Sequence, residues 1–389
     1  MIALHEPQFN GNEWKYIKDC LDSGWVSSVG KYVDLFEEKL SEYTGAKYVV
    51  ACCNGTTALH TALLLAGVKE DDEVIVPSLS FIATANVILY CNAVPIFIDC
   101  ETKHFNIDVE KLDLFLKNNC YFDGEKTINL DTGKIVRAIL PVHILGYPTD
   151  IIKICDIAKQ YKIKVIEDAA ESIGTFLNNK HLGTFGDIGC LSFNGNKIIT
   201  TGGGGAILTN DLEIANLAKY LTQQAKEPHP FEYIHNEIGY NYRLTNLQAA
   251  LGVAQLEQLE NFIEKKIEIE KRYLEFLDFT NKNIYFPKLE NDVRWNRWIF
   301  SVLLKDIKTI EKRNNIIKKF LDEKIGVRPF WRPIHLQEKF RKFYADDLAN
   351  TENIYLTGLH LPASVSLQKE DIKKICDILN HTPSHQIVC

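Results

Sequence analysis

The sequence predicts an α/β fold, with a large domain on a mixed sheet followed by a smaller α+β domain. Three observations carry this. From about residue 47, short apolar runs alternate with amphipathic stretches, as strands and helices of an α/β sheet do. After Asn246 the pattern changes, and Leu247 to roughly Leu277 is nearly free of Gly and Pro and reads as long helices. Finally, 389 residues with 46% hydrophobic content can bury two cores. The expected division is 1–255 and 256–389, with the N-terminal segment packing on the smaller domain.

Tyr48 to Cys53 is an apolar run of strand length, and Ala58 to Leu65 reads as the helix after it. Glu73 to Val76, Val94 to Asp99, Ile135 to Val142 and Lys164 to Glu167 are further buried-strand candidates. Helices fit Thr84 to Tyr90 and Asp150 to Tyr161, and short strands fit Leu191 to Phe193 and Ala206 to Leu208. Polar residues fall just after several strand ends, where open α/β sheets place their ligands. The stretch after Asn246 puts Glu257, Glu260, Glu264 and Lys265 on a polar face and bridges the domains. Trp298 to Leu304 as a strand, with helices over Ile310 to Glu323 and Asp371 to Leu379, completes the smaller domain. There are no internal repeats or low-complexity tracts.

The 51 acidic and 44 basic residues give a formal net charge of -7 with no long run of either sign, which argues against a nucleic-acid partner. A phosphorylated small molecule needs only local backbone amides and one or two cations. The ten cysteines include no C-x-x-C pair, lie mostly in apolar stretches and read as reduced, buried thiols of a cytoplasmic protein. Adjacent Cys52 and Cys53 read as two residues of a buried strand rather than a redox pair. Met1 to Glu6 has no signal-peptide character, and no apolar run approaches the ~20 residues that span a bilayer. Cys389 is the last residue, so the end is not a prenylation box. These features predict no membrane partner and no metal site.

Two segments carry most of the chemical information. Asp168 ends the apolar run Val165-Ile166-Glu167, and Lys197 follows 29 residues later in a turn. A carboxylate at a strand end must reach solvent or a cation, such as the protonated nitrogen of a pyridine ring. A lysine amine can hold an aldehyde cofactor as a Schiff base and later move protons. That pairing suits pyridoxal phosphate. Asn54-Gly55-Thr56-Thr57 sits between a strand and a helix, where free amides bind an anion. Phe81 supplies a flat apolar surface for a ring, and Ser192, five residues before Lys197, can reach a phosphate. Glu171 can approach a ring hydroxyl, and Gly202 to Gly205 let backbone pass close to a cofactor. Taken singly, each has a plainer explanation: a helix cap, a core aromatic, a turn acid, a solvated lysine. The combination is what points to a cofactor. No phosphate loop, G-x-G-x-x-G, H-E-x-x-H or zinc-spaced cysteine set competes.

In motif order the chain resembles the nucleotide-sugar aminotransferases of the DegT/DnrJ/EryC1/StrS family, from about Gly24 to Gln258 and more weakly to the end. Asn54-Gly55-Thr56, Pro77-Ser78 through Thr84, Glu167-Asp168-Ala169-Ala170, Ser192-Phe193 with Lys197, Gly203-Gly204-Gly205 and Gly239-Tyr240-Asn241-Tyr242-Arg243-Leu244 carry it. The resemblance implies fold type I of pyridoxal phosphate enzymes, the aspartate-aminotransferase fold. It implies that Lys197 forms the covalent link, Asp168 binds the ring nitrogen, Gly55, Thr56 and Ser192 hold the phosphate, Phe81 stacks on the ring and Glu171 sits near its hydroxyl. Asn241 matches an asparagine that reaches the neighbouring subunit's cofactor, which implies a homodimer with shared active sites.

The implied reaction is a ping-pong transfer of an amino group from L-glutamate to C4 of a nucleotide-linked 4-keto-6-deoxy sugar, with UDP and GDP both open. Asn119 to Gly133 is longer than the usual connection and reads as an added hairpin or loop. It resembles the branch that aminates 4-keto-6-deoxy-N-acetylglucosamine nucleotides toward legionaminic acid. Glu171 stands where many relatives have Gln or His. Arg328 and Trp331, within Arg328 to His335, fall where relatives contact nucleotide sugars, and a structural loop explains them equally well. Alternatives are C3 amination of a 3-keto nucleotide sugar and a non-catalytic pyridoxal-phosphate-binding regulator. A dehydratase of the same fold would carry histidine in place of Lys197.

Overall fold

Every strand-length run above becomes a strand, and the order in which the strands pair explains why polar residues gather at one edge. The structure is a computed structural model and describes residues 1–279 and 284–381, so Cys389 lies outside the described residues. In chain order the strands are β1 (Tyr48–Cys52), β2 (Glu73–Pro77), β3 (Val94–Ile98), β4 (Cys120–Phe122), β5 (Thr127–Asn129), β6 (Val136–Ile139), β7 (Lys164–Asp168) and β8 (Phe176–Leu177). They continue with β9 (Lys180–His181), β10 (Ile188–Ser192), β11 (Gly205–Thr209), β12 (Ile284–Tyr285), β13 (Val293–Arg294), β14 (Phe300–Leu304), β15 (Arg328–Pro329) and β16 (Gly358–Leu361).

A seven-stranded sheet has the order β1-β11-β10-β7-β6-β2-β3. β10, β7, β6, β2 and β3 run parallel, while β11 is antiparallel to both β10 and β1. The C-terminal ends of β1, β2, β6, β7 and β10 therefore meet at one edge. Successive side chains of a strand point to opposite faces, and here both faces are buried. Val74 and Val76 enter a core with the helix Gly55–Leu65, while Ile75 between them enters another with the helices Val109–Asn119 and Ile151–Gln160. That double burial is why these strands read as continuous apolar runs.

The helix Gly55–Leu65 starts three residues before the expected Ala58, because Asn54 caps it. Asn54 Oδ1 accepts the Thr57 N–H at 2.8 Å and the Thr57 hydroxyl accepts from the Asn54 N–H at 3.3 Å. β10 starts at Ile188 rather than Leu191, through parallel pairing of Ile188–Cys190 with Ile166–Asp168. Close packing requires glycine at 189, since a Cβ would lie 1.9 Å from the Gly183 carbonyl oxygen. Helices Glu13–Ser23, Lys31–Thr44, Val109–Asn119, Leu212–Thr222 and Ala349–Thr357 are additional to those expected.

A four-stranded sheet, β12-β14-β16-β15, packs with helices Leu259–Phe276, Ile310–Asp322 and Lys369–Asn380 around a separate core that includes Phe300, Val302, Phe320 and Ile375. The N-terminal segment lies along it: the Ile2 N–H donates to Lys324 O and the Ala363 N–H to Leu4 O, both at 2.9 Å. We propose the division at 255/256, at the C-terminal end of helix Asn246–Leu256 and just before the turn that leads to helix Leu259–Phe276. The second helix spans both parts, with Leu259, Phe262 and Ile263 in the core around Phe36 and Ile269 and Tyr273 in the core around Phe300. One segment beyond that division returns to the large sheet. Phe97 of edge strand β3 exchanges hydrogen bonds with Tyr344 O and the Asp346 N–H, both at 3.1 Å, which covers otherwise unpaired edge groups. Among the described residues, no helix is long and apolar enough to cross a membrane.

Candidate active site

A cavity of ≈ 640 Å³ opens at the sheet edge where the five strand ends meet. Gly55 and Thr56 reach it from the turn after β1, Phe81 from the loop after β2, Asp168 from the end of β7 and Glu171 just beyond. Ser192 comes from the end of β10 and Lys197 from the following turn, while Arg328 and Trp331 form part of the opposite wall, contributed by β15 and its continuation. Asn241 does not line the cavity; it is exposed and bridges to Gln223.

At one end the geometry is set by close backbone packing. The Asn54 cap uses the Thr57 N–H, and the first-turn amides of Gly55 and Thr56 have no carbonyl partner within the helix. Gly55 is needed because a Cβ would lie 2.8 Å from Ser192 Cβ. Gly205 is needed because a Cβ would lie 2.7 Å from the Gly55 nitrogen. The glycines at 202 to 205 thus correct one expectation: they do not line the cavity, and the close approach at Gly205 is to the Asn54–Gly55 backbone. The result is a helix N-terminus and a serine hydroxyl at one place, a good anion site.

The floor is acidic. Asp168 is buried, and its Oδ2 accepts from the Thr84 hydroxyl at 2.8 Å while Oδ1 accepts from the Ala170 N–H at 3.2 Å. Because Thr84 gives its proton to Asp168, the Ser80 hydroxyl, 2.8 Å away, donates to Thr84. Burial pushes the Asp168 carboxyl above its ordinary range, opposed by the Thr84 hydroxyl, the Ala170 N–H and the Lys197 ammonium. Glu167, which points to the other side of β7, is wholly buried and held below the usual carboxylate range. Burial pushes it up, but His143 and the amides of Gly183 and Gly186 outweigh that. The Thr149 N–H donates to His143 Nδ1 at 3.2 Å, so Nε2–H donates to Glu167 at 2.9 Å. This network anchors the strand that carries Asp168.

Lys197 Nζ lies 3.2 Å from Glu171 Oε1 and 4.1 Å from the centre of the Trp298 ring. The other Glu171 oxygen accepts the Leu145 N–H at 2.7 Å. Leu145 is held at φ 55, a left-handed conformation that a leucine rarely adopts, and its carbonyl accepts from the Trp295 indole at 2.9 Å. Burial pushes Glu171 above its ordinary range, against the Lys197 ammonium and the Leu145 N–H. Phe81 stands at the rim, 55% exposed.

Trp298, Thr84 and His360 also line the cavity and were not nominated from the sequence. The available signal for the first was the run Trp295-Asn296-Arg297-Trp298, which holds two of only five tryptophans. It stitches the far wall to the site: the Asn296 side-chain amide donates to Glu171 O at 2.8 Å and the Trp298 indole to Asn196 O at 2.7 Å. Thr84 and His360 carry no comparable pattern. The extra segment at 119–133 is the β4–β5 hairpin. Its Asn129 and Thr132 side chains bond Glu73, the first residue of β2, both at 2.8 Å. It therefore sits at the opposite end of β2 from the cavity and lines no part of it.

A sequence model of the DegT/DnrJ/EryC1/StrS aminotransferase family matches residues 7–380. The chain is 37% identical over 380 residues to the GDP-perosamine synthase of Escherichia coli O157:H7, spanning 97% of this chain and 98% of that protein. It is 32% identical over 369 residues to the UDP-4-amino-4,6-dideoxy-N-acetyl-beta-L-altrosamine transaminase of Campylobacter jejuni, spanning 94% and 92%. Among solved structures, a DegT DnrJ EryC1 StrS aminotransferase from Brucella abortus superposes with a TM-score of 0.83 at 29% identity, over 95% of this chain and 94% of that one.

Proposed function

This chain belongs to the DegT/DnrJ/EryC1/StrS aminotransferase family, and on that premise we propose that it moves an amino group from L-glutamate to C4 of a nucleotide-linked 4-keto-6-deoxy hexose. It is a pyridoxal phosphate-dependent aminotransferase. The observation that carries the site assignment is the convergence of a lysine amine, a buried carboxylate and a helix N-terminus on one cavity. The residues fit the cofactor. Gly55, Thr56 and Ser192 would hold its phosphate, Asp168 its ring nitrogen, Phe81 its open face, Glu171 its ring hydroxyl, and Lys197 its aldehyde carbon. Asp168 fits on independent physical grounds, since a buried carboxyl pushed up by desolvation is stabilised by a cation placed against it.

When bound, the cofactor supplies an electron sink next to the carbon that loses and regains a proton. Asp168, steadied by Thr84 and Ala170, would keep positive charge on the ring nitrogen. Lys197 Nζ would move a proton between the donor carbon and the cofactor carbon on the other side of the linking nitrogen, and Glu171 and Trp298 hold that amine in place. Burial of Asp168, Glu171 and Ser192 limits water at the reacting atoms. Gly55→Ala puts a methyl against Ser192, so it should weaken pyridoxal phosphate binding about tenfold or more, read by titrating apo-protein and watching visible absorbance.

The substrate rests on the relatives. Transfer to C4 is supported by the Campylobacter relative, whose name specifies a 4-amino-4,6-dideoxy sugar, and a GDP carrier by the Escherichia relative. For the sugar we propose 4-keto-6-deoxy-N-acetylglucosamine, on the legionaminic-acid type of route, supported by the presence of the 119–133 hairpin alone. Arg328 and Trp331 would then contact the nucleotide. The homodimer belongs to the same proposal: Asn241 is exposed, as are Phe231, Tyr233 and Ile238 in the segment that precedes it in the chain, at 91%, 80% and 80%, and a second copy would cover them. A cytoplasmic setting suits the free cysteines. Incubation with glutamate and a panel of GDP- and UDP-linked 4-keto and 3-keto sugars, with products assigned by NMR, tests the position, the carrier and the substrate class. Amine at C4 of a GDP-sugar is expected. Amine at C3 overturns the position, a UDP product overturns the carrier, and no transfer to any sugar overturns the substrate class.

A further inference from the structure

The helix Leu259–Phe276 buries a stripe made of Leu259, Phe262, Ile263, Ile269 and Tyr273. Position 266 falls on that stripe, and it is a lysine, 1% exposed. An apolar residue is what the helical period asks for there, and a departure of this kind marks a position kept for another reason. Lys266 Nζ donates to Trp298 O at 2.9 Å and to Ala363 O at 2.6 Å. Burial brings its pKa down to about 7.

What those carbonyls belong to matters. Trp298 is buried, its indole N–H donates to the carbonyl of Asn196, the residue just before Lys197, and its ring faces Lys197 Nζ. The indole thus holds both the backbone leading into Lys197 and the amine itself. Ala363 in turn donates its N–H to Leu4 O, and Leu4 also lines the cavity. One buried amine ties its own helix to the segments of Trp298 and Ala363, and Trp298 in turn contacts Lys197.

We propose that Lys266 is a positioning residue for Lys197, acting through Trp298. It fixes the Trp298 backbone, and the indole then keeps the Lys197 amine aimed at the place where the cofactor's aldehyde carbon arrives. The inference rests on the reading that Lys197 forms the covalent link, and the test separates the two.

Apo-protein is prepared as wild type, Lys266→Met and Trp298→Phe, with thermal unfolding to confirm folding; Lys266→Gln replaces Lys266→Met if the latter does not fold. Two quantities are read on each: affinity for pyridoxamine phosphate, which cannot form the link, and the rate of covalent capture of pyridoxal phosphate at Lys197, followed by visible absorbance and by borohydride reduction with peptide mapping. Affinity within about threefold of wild type, with capture slowed about tenfold in both variants, is the expected result. Unchanged capture in either folded variant overturns the inference. Equal losses in affinity and capture overturn it too, by showing a general structural role. Wild-type protein that captures nothing at Lys197 instead overturns the site assignment under the proposed function.

Discussion

Lys197→Ala is expected to lower the transfer rate by about 10⁴-fold or more, because it removes the covalent anchor and the proton carrier together. The variant should nevertheless fold. Removing the ammonium leaves Glu171 buried without its cation, yet burial already pushes that carboxyl toward the protonated form, and loss of Lys197 moves it further the same way. Glu171 therefore takes up a proton more readily than in the wild type, which eases the cost of a buried carboxylate without its cation, and its second oxygen keeps the Leu145 N–H. Single-turnover absorbance with glutamate, alongside thermal unfolding, checks both parts. Substantial residual transfer by a folded variant would mean that another group moves the proton. Among the cavity-lining residues no second lysine is available to do so.

Asp168→Asn is the second large effect, and it should separate activity from stability. The amide keeps the shape of the carboxylate but cannot hold a positive charge on a ring nitrogen, so transfer should fall about 10²- to 10³-fold and cofactor affinity should drop with it. Apo-protein stability should move the other way. The folded Asp168 pKa lies above its unfolded value, so ionisation disfavours the fold once the pH exceeds the unfolded value of about 3.9. The penalty grows as the pH rises to the folded pKa and stays constant above it. Asparagine removes it. At pH 7 the apo variant should therefore unfold no lower in temperature than apo wild type, with any advantage vanishing as the pH falls toward the unfolded value. An apo variant markedly less stable at pH 7 would show that the carboxylate is not destabilised there.

Much of the site was legible because its residues stand at positions that local chemistry singles out. Asp168 closes an apolar run, so its charge falls where a buried strand ends. Asn54-Gly55-Thr56 combines a capping side chain with a residue lacking Cβ, the signature of a helix start approached by another group. Lys197 gained meaning only from these neighbours. Illegible were contacts between distant segments. Nothing in Trp295-Asn296-Arg297-Trp298 says that its indoles reach Leu145 and Asn196, and nothing in the hairpin at 119–133 says that it lies at the far end of β2. The small-domain reading likewise missed that residues near Tyr344 return to pair with β3, because an edge strand's need for partners appears only once the strand order is known.

The sequence by itself determined the alternation of strands and helices, the double burial of the large sheet and the residue types able to bind an anion, a cation and an aldehyde. Those follow from periodicity, caps and charge, which act over a few neighbouring residues. Only the tertiary structure decided that five strand ends share one edge, that β11 runs against its neighbours so that Gly205 meets the Asn54–Gly55 turn, and that Lys266 meets the Trp298 backbone whose ring faces Lys197. Those depend on pairing order and on side chains from separate segments filling the same space, which no local pattern encodes.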